Sequence, residues 1–157
     1  MRELRAGLDH PLSRRLDFTA GFSRFNYSDD NDRNTFHAAV MHRLRSNTSS
    51  VFRVGAGYRY DDTRFESPLY YTPQNFNVLS VLADYQVTQR RLNYGVSASY
   101  PLTNDTGEDG VNRPARTLFG FLNYDLNELI RLYLNGGVVD APNFDSTEFA
   151  LGANLWF

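Results

Sequence analysis

Hydrophobic and polar positions alternate along almost the whole chain. In the last eleven residues, Thr147, Phe149, Leu151, Ala153, Leu155 and Phe157 fall on one side and Glu148, Ala150, Gly152, Asn154 and Trp156 on the other. A period of two places successive side chains on opposite faces of a sheet, so this segment is predicted as a strand with one apolar and one mixed face. The same alternation recurs upstream. Leu92, Tyr94, Val96, Ala98 and Tyr100 oppose Asn93, Gly95, Ser97 and Ser99, and Phe52, Val54, Ala56, Tyr58 and Tyr60 oppose Arg53, Gly55, Gly57, Arg59 and Asp61. Further strands are expected over 2–10, 16–23, 35–45, 76–87, 118–124 and 130–138. Helix signals are nearly absent.

Turn chemistry separates these segments. Short turns are expected at 11–14, 46–49, 88–91 and 127–128, and longer loops at 28–33, 62–74, 103–116 and 140–146. Alternation of long and short connections is the habit of transmembrane barrels, whose short turns lie on the periplasmic side. The expected fold is all-β: an antiparallel up-and-down transmembrane β-barrel with eight or nine strands in residues 1–157, as a single domain or the carboxy-terminal portion of a larger barrel.

Composition sharpens that expectation. The chain holds ten Tyr and twelve Phe, yet its mean hydropathy is −0.48, and Ile occurs once, at Ile130. Aromatic richness with overall polarity suits a wall whose outer band is apolar and whose interior is wet. The polar faces carry Arg, Asp, Asn, Ser and Gly, and Lys is absent from the sequence. Guanidinium groups bridging carboxylates and amides fit a crowded hydrated interior.

Net charge is −2 without a basic block, so nothing favours nucleic acid as a partner. The absence of Cys excludes thiol catalysis, disulfides and cysteine metal sites. No apolar run approaches the roughly eighteen residues of a membrane helix, so membrane contact must be through strands. Met1-Arg-Glu-Leu-Arg-Ala6 lacks the apolar core of a secretory signal. A barrel needs one, so either a signal has been removed ahead of Met1 or the chain is the end of a longer protein. Strand parity points the same way. Single-chain bacterial barrels have even strand numbers, and nine alternating segments leave an odd one, which favours strands missing upstream.

Two resemblances enter here. The alternating final strand with its terminal Phe157 resembles the closing strand of bacterial outer-membrane β-barrels, which implies that the barrel-assembly machinery reads Phe149, Leu151, Leu155 and Phe157. The segment Tyr70-Tyr-Thr-Pro-Gln-Asn-Phe76 resembles a stretch that opens a late barrel strand in bacterial exopolysaccharide export porins, among them the cellulose and poly-N-acetylglucosamine exporters. That likeness implies an outer-membrane location, contact with outer-membrane lipid, and a polysaccharide as the exported partner.

Enzymatic signals are thin, and no enzyme activity, cofactor or metal is expected. His37 and His42 point to opposite faces by the alternation, and Asp29, Asp30 and Asp32 lack the ordered pattern of a calcium loop and read as a solvated turn. The expected site is a polar lumen in which Arg43, Arg53, Arg59 and Arg131 neutralise Asp17, Asp61, Asp84 and Glu148. Phe65, Tyr70, Tyr71 and Phe76 are candidate stacking faces for sugar rings, although interface anchoring or loop packing explains them as well. Three functions are open on the sequence: a polar-lined pore for polysaccharide or small polar solutes, a small closed barrel with a structural or adhesive role through its loops, and a soluble ligand-binding β-protein.

Overall fold

The computed structural model describes residues 2–27, 30–67, 72–103, 115–141 and 144–156. It is all-β. Nine strands follow one another: β1 (Arg2–Pro11), β2 (Leu16–Asn26), β3 (Asp32–Ser46), β4 (Ser50–Thr63), β5 (Phe76–Gln89), β6 (Leu92–Pro101), β7 (Arg116–Asp125), β8 (Ile130–Ala141) and β9 (Phe144–Leu155). They form one sheet in chain order, β1 to β9, with every sequential neighbour paired and β1 and β9 as its edges. This is the up-and-down order that the turn spacing predicts. Each recorded register is antiparallel: Gly7 faces Gly21 between β1 and β2, Gly95 faces Phe121 between β6 and β7, and Tyr133 faces Gly152 between β8 and β9.

The connections show why the strands stop where they do. After β1, Leu12 N–H bonds Leu16 O at 2.8 Å. Between β3 and β4, Asn47 Oδ1 accepts from Ser49 N–H at 3.0 Å and Ser50 N–H at 2.7 Å, an Asx turn. Arg90, at φ 39°, takes the left-handed conformation that a two-residue hairpin demands between β5 and β6. Asn127 Oδ1 accepts from Leu129 N–H at 2.9 Å between β7 and β8. The expected loop over 140–146 is much shorter than its composition suggests. β8 runs on to Ala141 and β9 begins at Phe144, because Asp140 and Asp145 pair across the ladder. The final strand ends at Leu155.

Burial is inverted relative to a water-soluble sheet. Apart from Pro73, the buried apolar side chains among the described residues are Phe76, Val78 and Val87. On β7, Leu118, Leu122 and Tyr124 are exposed while Thr117, Phe121, Asn123 and Asp125 are half-buried. On β8, Leu132, Leu134 and Val138 are exposed while Arg131, Tyr133 and Asn135 are half-buried. Phe149 and Leu151 of β9 are 82% and 75% exposed. Burying a Leu or Phe side chain removes about 1.5–3 kcal/mol of unfavourable hydration, so this many apolar side chains on one face need an apolar medium or a covering protein.

The chain forms two compact units, Met1–Met41 with Gly55–Val81 and Pro101–Pro114, and His42–Val54 with Leu82–Tyr100 and Ala115–Phe157. In the first, the β4–β5 connection is tied down by backbone contacts. Thr63 N–H bonds Pro73 O at 2.7 Å, Arg64 N–H bonds Asp32 O at 2.9 Å, and Asn75, at φ 48°, gives its N–H to Asp62 Oδ1 at 2.8 Å. Asn31 is buried and pairs with one residue twice, receiving Phe65 N–H at 3.0 Å and donating to Phe65 O at 2.9 Å. The second unit holds β6–β9, whose ladders run without a break.

Candidate functional site

The polar face collects the charge. In the first unit it centres on Asp61 near the end of β4, whose side chain is fully buried. Arg33 of β3 grips it with both prongs, Nε to Oδ1 at 2.7 Å and Nη2 to Oδ2 at 2.5 Å, and Arg59 adds Nη2 to Oδ2 at 2.9 Å. The two arginines differ in setting, with side chains 18% and 57% exposed. The forked guanidinium matches the carboxylate geometry, which a lysine could not do. Beside this triad lies a cleft of about 410 Å³ lined by Ser23, Phe25, Arg33, Thr35, His37 and Arg59. Ser23 and Thr35 share a hydroxyl–hydroxyl hydrogen bond of 2.5 Å, and the His37 imidazole packs over Gly21.

In the second unit Arg53 of β4 holds Asp84 of β5, Nε at 3.0 and 2.9 Å from the two carboxylate oxygens and Nη2 at 2.9 Å from Oδ1. Arg131 of β8 holds Asp125 of β7, its register partner, at 2.5 and 3.1 Å. The Arg131 guanidinium also stands 5.6 Å above the ring of Trp156. A cleft of about 560 Å³ opens there, lined by Arg91, Asp125, Asn127, Glu128, Arg131 and Trp156. Gln86 and Thr88 both reach Asn93 Oδ1, at 3.3 Å each.

Of the residues expected to line a lumen, Arg53, Arg59, Asp61, Asp84 and Arg131 fall in these pairs. Asp17 and Arg43 are half-buried and each is engaged by neighbouring groups. Glu148 is exposed on β9, opposite Gly137. Two partners escape the sequence reading. Arg33 looks like the end of a polar loop, although β3 already starts at Asp32. Asp125 looks like a turn residue, although extending the expected strand over 118–124 by one residue would have placed it on the polar face.

The stacking candidates separate. Phe65 is exposed, with the Arg64 guanidinium 4.9 Å from its ring centre. Phe76, at 6% exposure, is packed inside and offers no open ring face. Pro73 is also fully buried, so Thr72-Pro-Gln-Asn-Phe76 works here as the tie that closes a loop and starts β5. Tyr70 and Tyr71 lie outside the described residues. In the terminal group Phe149, Leu151 and Leu155 are exposed along β9, and Phe157 lies outside the described residues.

No family model matches this chain, and no curated protein does either. Among solved structures it is similar to a bacterial polysaccharide outer membrane secretin, with a TM-score of 0.65 and 13% identity, over 99% of this chain and 56% of that one. At that identity the likeness is one of fold. The chain spans a little over half the length of the structure it matches.

Proposed function

We propose that this chain supplies wall strands of a bacterial outer-membrane β-barrel through which a neutral or weakly charged polysaccharide passes. The observation that carries the reading is the inversion of the sheet: Leu, Val, Phe and Tyr exposed along one face, and Arg–Asp pairs drawn together on the other. An apolar face of this extent suits lipid, and charges neutralised in pairs suit a hydrated path with little net field. Likeness to a polysaccharide outer membrane secretin supports the export role and the choice of solute. On this reading the partners are outer-membrane lipid, the barrel-assembly machinery and the polysaccharide itself. The chain acts as a conduit and catalyses nothing.

The chain has no cysteine, which makes a clean test. Single cysteines at positions 131–138 of β8, in protein reconstituted into vesicles, are labelled with an environment-sensitive fluorophore. Positions 132, 134 and 138 should be quenched by a lipid-borne quencher, and positions 131, 133 and 135 by an aqueous one. Vesicles bearing the protein should also swell in iso-osmotic neutral oligosaccharide and swell less in an anionic one of equal size. A folded chain that stays soluble without detergent, or labels with no alternation, would overturn the assignment.

A further inference from the structure

The polar face of β6–β9 carries a feature that the charge pairs do not explain. Three aromatic residues point to it, and each stands directly opposite a glycine on the next strand: Phe121 opposite Gly95, Phe119 opposite Gly137, and Tyr133 opposite Gly152. The rings lie across those glycines. A methyl group added at Gly95 would meet Phe121 Cε1 at 2.7 Å, one at Gly137 would meet Phe119 Cδ2 at 2.7 Å, and one at Gly152 would collide with the phenol of Tyr133. Only the missing Cβ lets each ring fold down onto the neighbouring backbone. Each ring thus rests against the wall over a glycine on the polar side, with Phe119 42% exposed and Phe121 and Tyr133 half-buried.

The registers set these rings in rows. One row runs Asn93, Asn123, Tyr133, Gly152; the next Gly95, Phe121, Asn135, Ala150; the next Ser97, Phe119, Gly137, Glu148. Successive rows are two residues apart along the strands, roughly 7 Å. Every row thus carries one ring seated over a glycine or beside one, with an amide or hydroxyl next to it. Below them the Asp125–Arg131 pair faces Asn154. The charged members of these four rows are one cation and two carboxylates, a balance that gives a polyanion no footing.

We propose that this face binds carbohydrate: Phe119, Phe121 and Tyr133 stack against the axial C–H faces of successive neutral pyranose rings, while Asn123 and Asn135 hydrogen-bond their hydroxyls. Aromatic rings interleaved with amides match a saccharide, which is apolar on its faces and polar around its rim. The proposal rests on the export reading and names the surface along which the polysaccharide would move.

The test uses the full chain in micelles of a zwitterionic detergent free of sugar, titrated with cellohexaose as a linear neutral probe. Saturation of the protein's aromatic protons should transfer most strongly to the axial ring protons of the glucan. Replacing both Phe119 and Phe121 by Leu, which keeps a side chain over each glycine, should weaken binding roughly tenfold or more. Strand content by circular dichroism should be unchanged in the double variant. An anionic hexasaccharide should bind less well than cellohexaose. Absence of transfer in the unmodified chain, or equal affinity in the double Leu variant, would overturn the proposal and leave the rings as wall filling. If vesicles pass neutral oligosaccharide while no transfer is seen, this inference fails and the export reading stands. Transfer in a chain whose β8 labels never meet lipid would do the reverse.

Discussion

Asp61 offers a quantitative test of how the polar face is held. Its carboxylate is fully buried and takes three hydrogen bonds, two from Arg33 and one from Arg59. Asp61→Ala removes the carboxylate that these two guanidiniums share and leaves the 18%-exposed Arg33, which also bonds Tyr27, without its bidentate acceptor. Breaking a buried pair from one side costs about 3–5 kcal/mol, because the remaining charge stays desolvated. Arg59→Gln takes a single bond from a side chain that is 57% exposed, and should cost at most about 1 kcal/mol. The pair Asp61→Asn with Arg33→Met should recover much of the loss, since no uncompensated charge is left buried. Equilibrium urea unfolding in micelles, followed by circular dichroism and by the single tryptophan, Trp156, gives the ordering. If Asp61→Ala is no worse than Arg59→Gln, or if the double variant equals the sum of its parts, Asp61 is not the buried keystone described here.

Three further outcomes follow from particular contacts. Leu134→Arg on the exposed face of β8 should cost about 2–4 kcal/mol of stability in a bilayer, and a change below about 0.5 kcal/mol by the same unfolding assay would mean that this face meets water. Gly137→Ala should destabilise by about 1–3 kcal/mol through overlap with Phe119, with recovery in the Gly137→Ala, Phe119→Ala pair, whereas Gly120→Ala, whose nearest neighbour is Gly95 O at 3.7 Å, should be close to neutral. Asn31→Ala strips both hydrogen bonds from the Phe65 backbone, a loss of about 1–3 kcal/mol, and should speed tryptic cleavage after Arg64 in limited proteolysis; an unchanged rate would show that the side-chain clamp does not hold that connection.

Strand number, order and facing are legible in the sequence because period two is a local property, and a strand half in an apolar medium repeats it without interruption. The ends are harder. Arg33 and Asp125 sit where turn-forming residues dominate composition, and only long-range pairing draws them into β3 and β7. Asp140 and Asp145 look like loop residues until the register sets them opposite each other. Phe76 is ambiguous for another reason: a ring beside a loop suits either an open platform or a buried plug, and the choice depends on what Pro73 and Thr63 do around it. The rings on β7 and β8 stand on the face that alternation marks as polar, so binary patterning discounts them. Their glycine partners lie on other strands, and the pairing appears only once the registers are known.

That pairing makes each ring and its glycine exchangeable. Because Phe119 and Gly137 face each other directly, moving the phenyl to β8 and the glycine to β7 would return a ring over almost the same patch of wall, donated from the strand about 4.8 Å away. An aligned column would register two losses there, an aromatic and a glycine, although the surface met by a passing molecule had hardly changed. A wall of this kind can drift far in letters while its relief persists, and resemblance to it is better sought in the pattern of rings across neighbouring strands than in residues matched one by one.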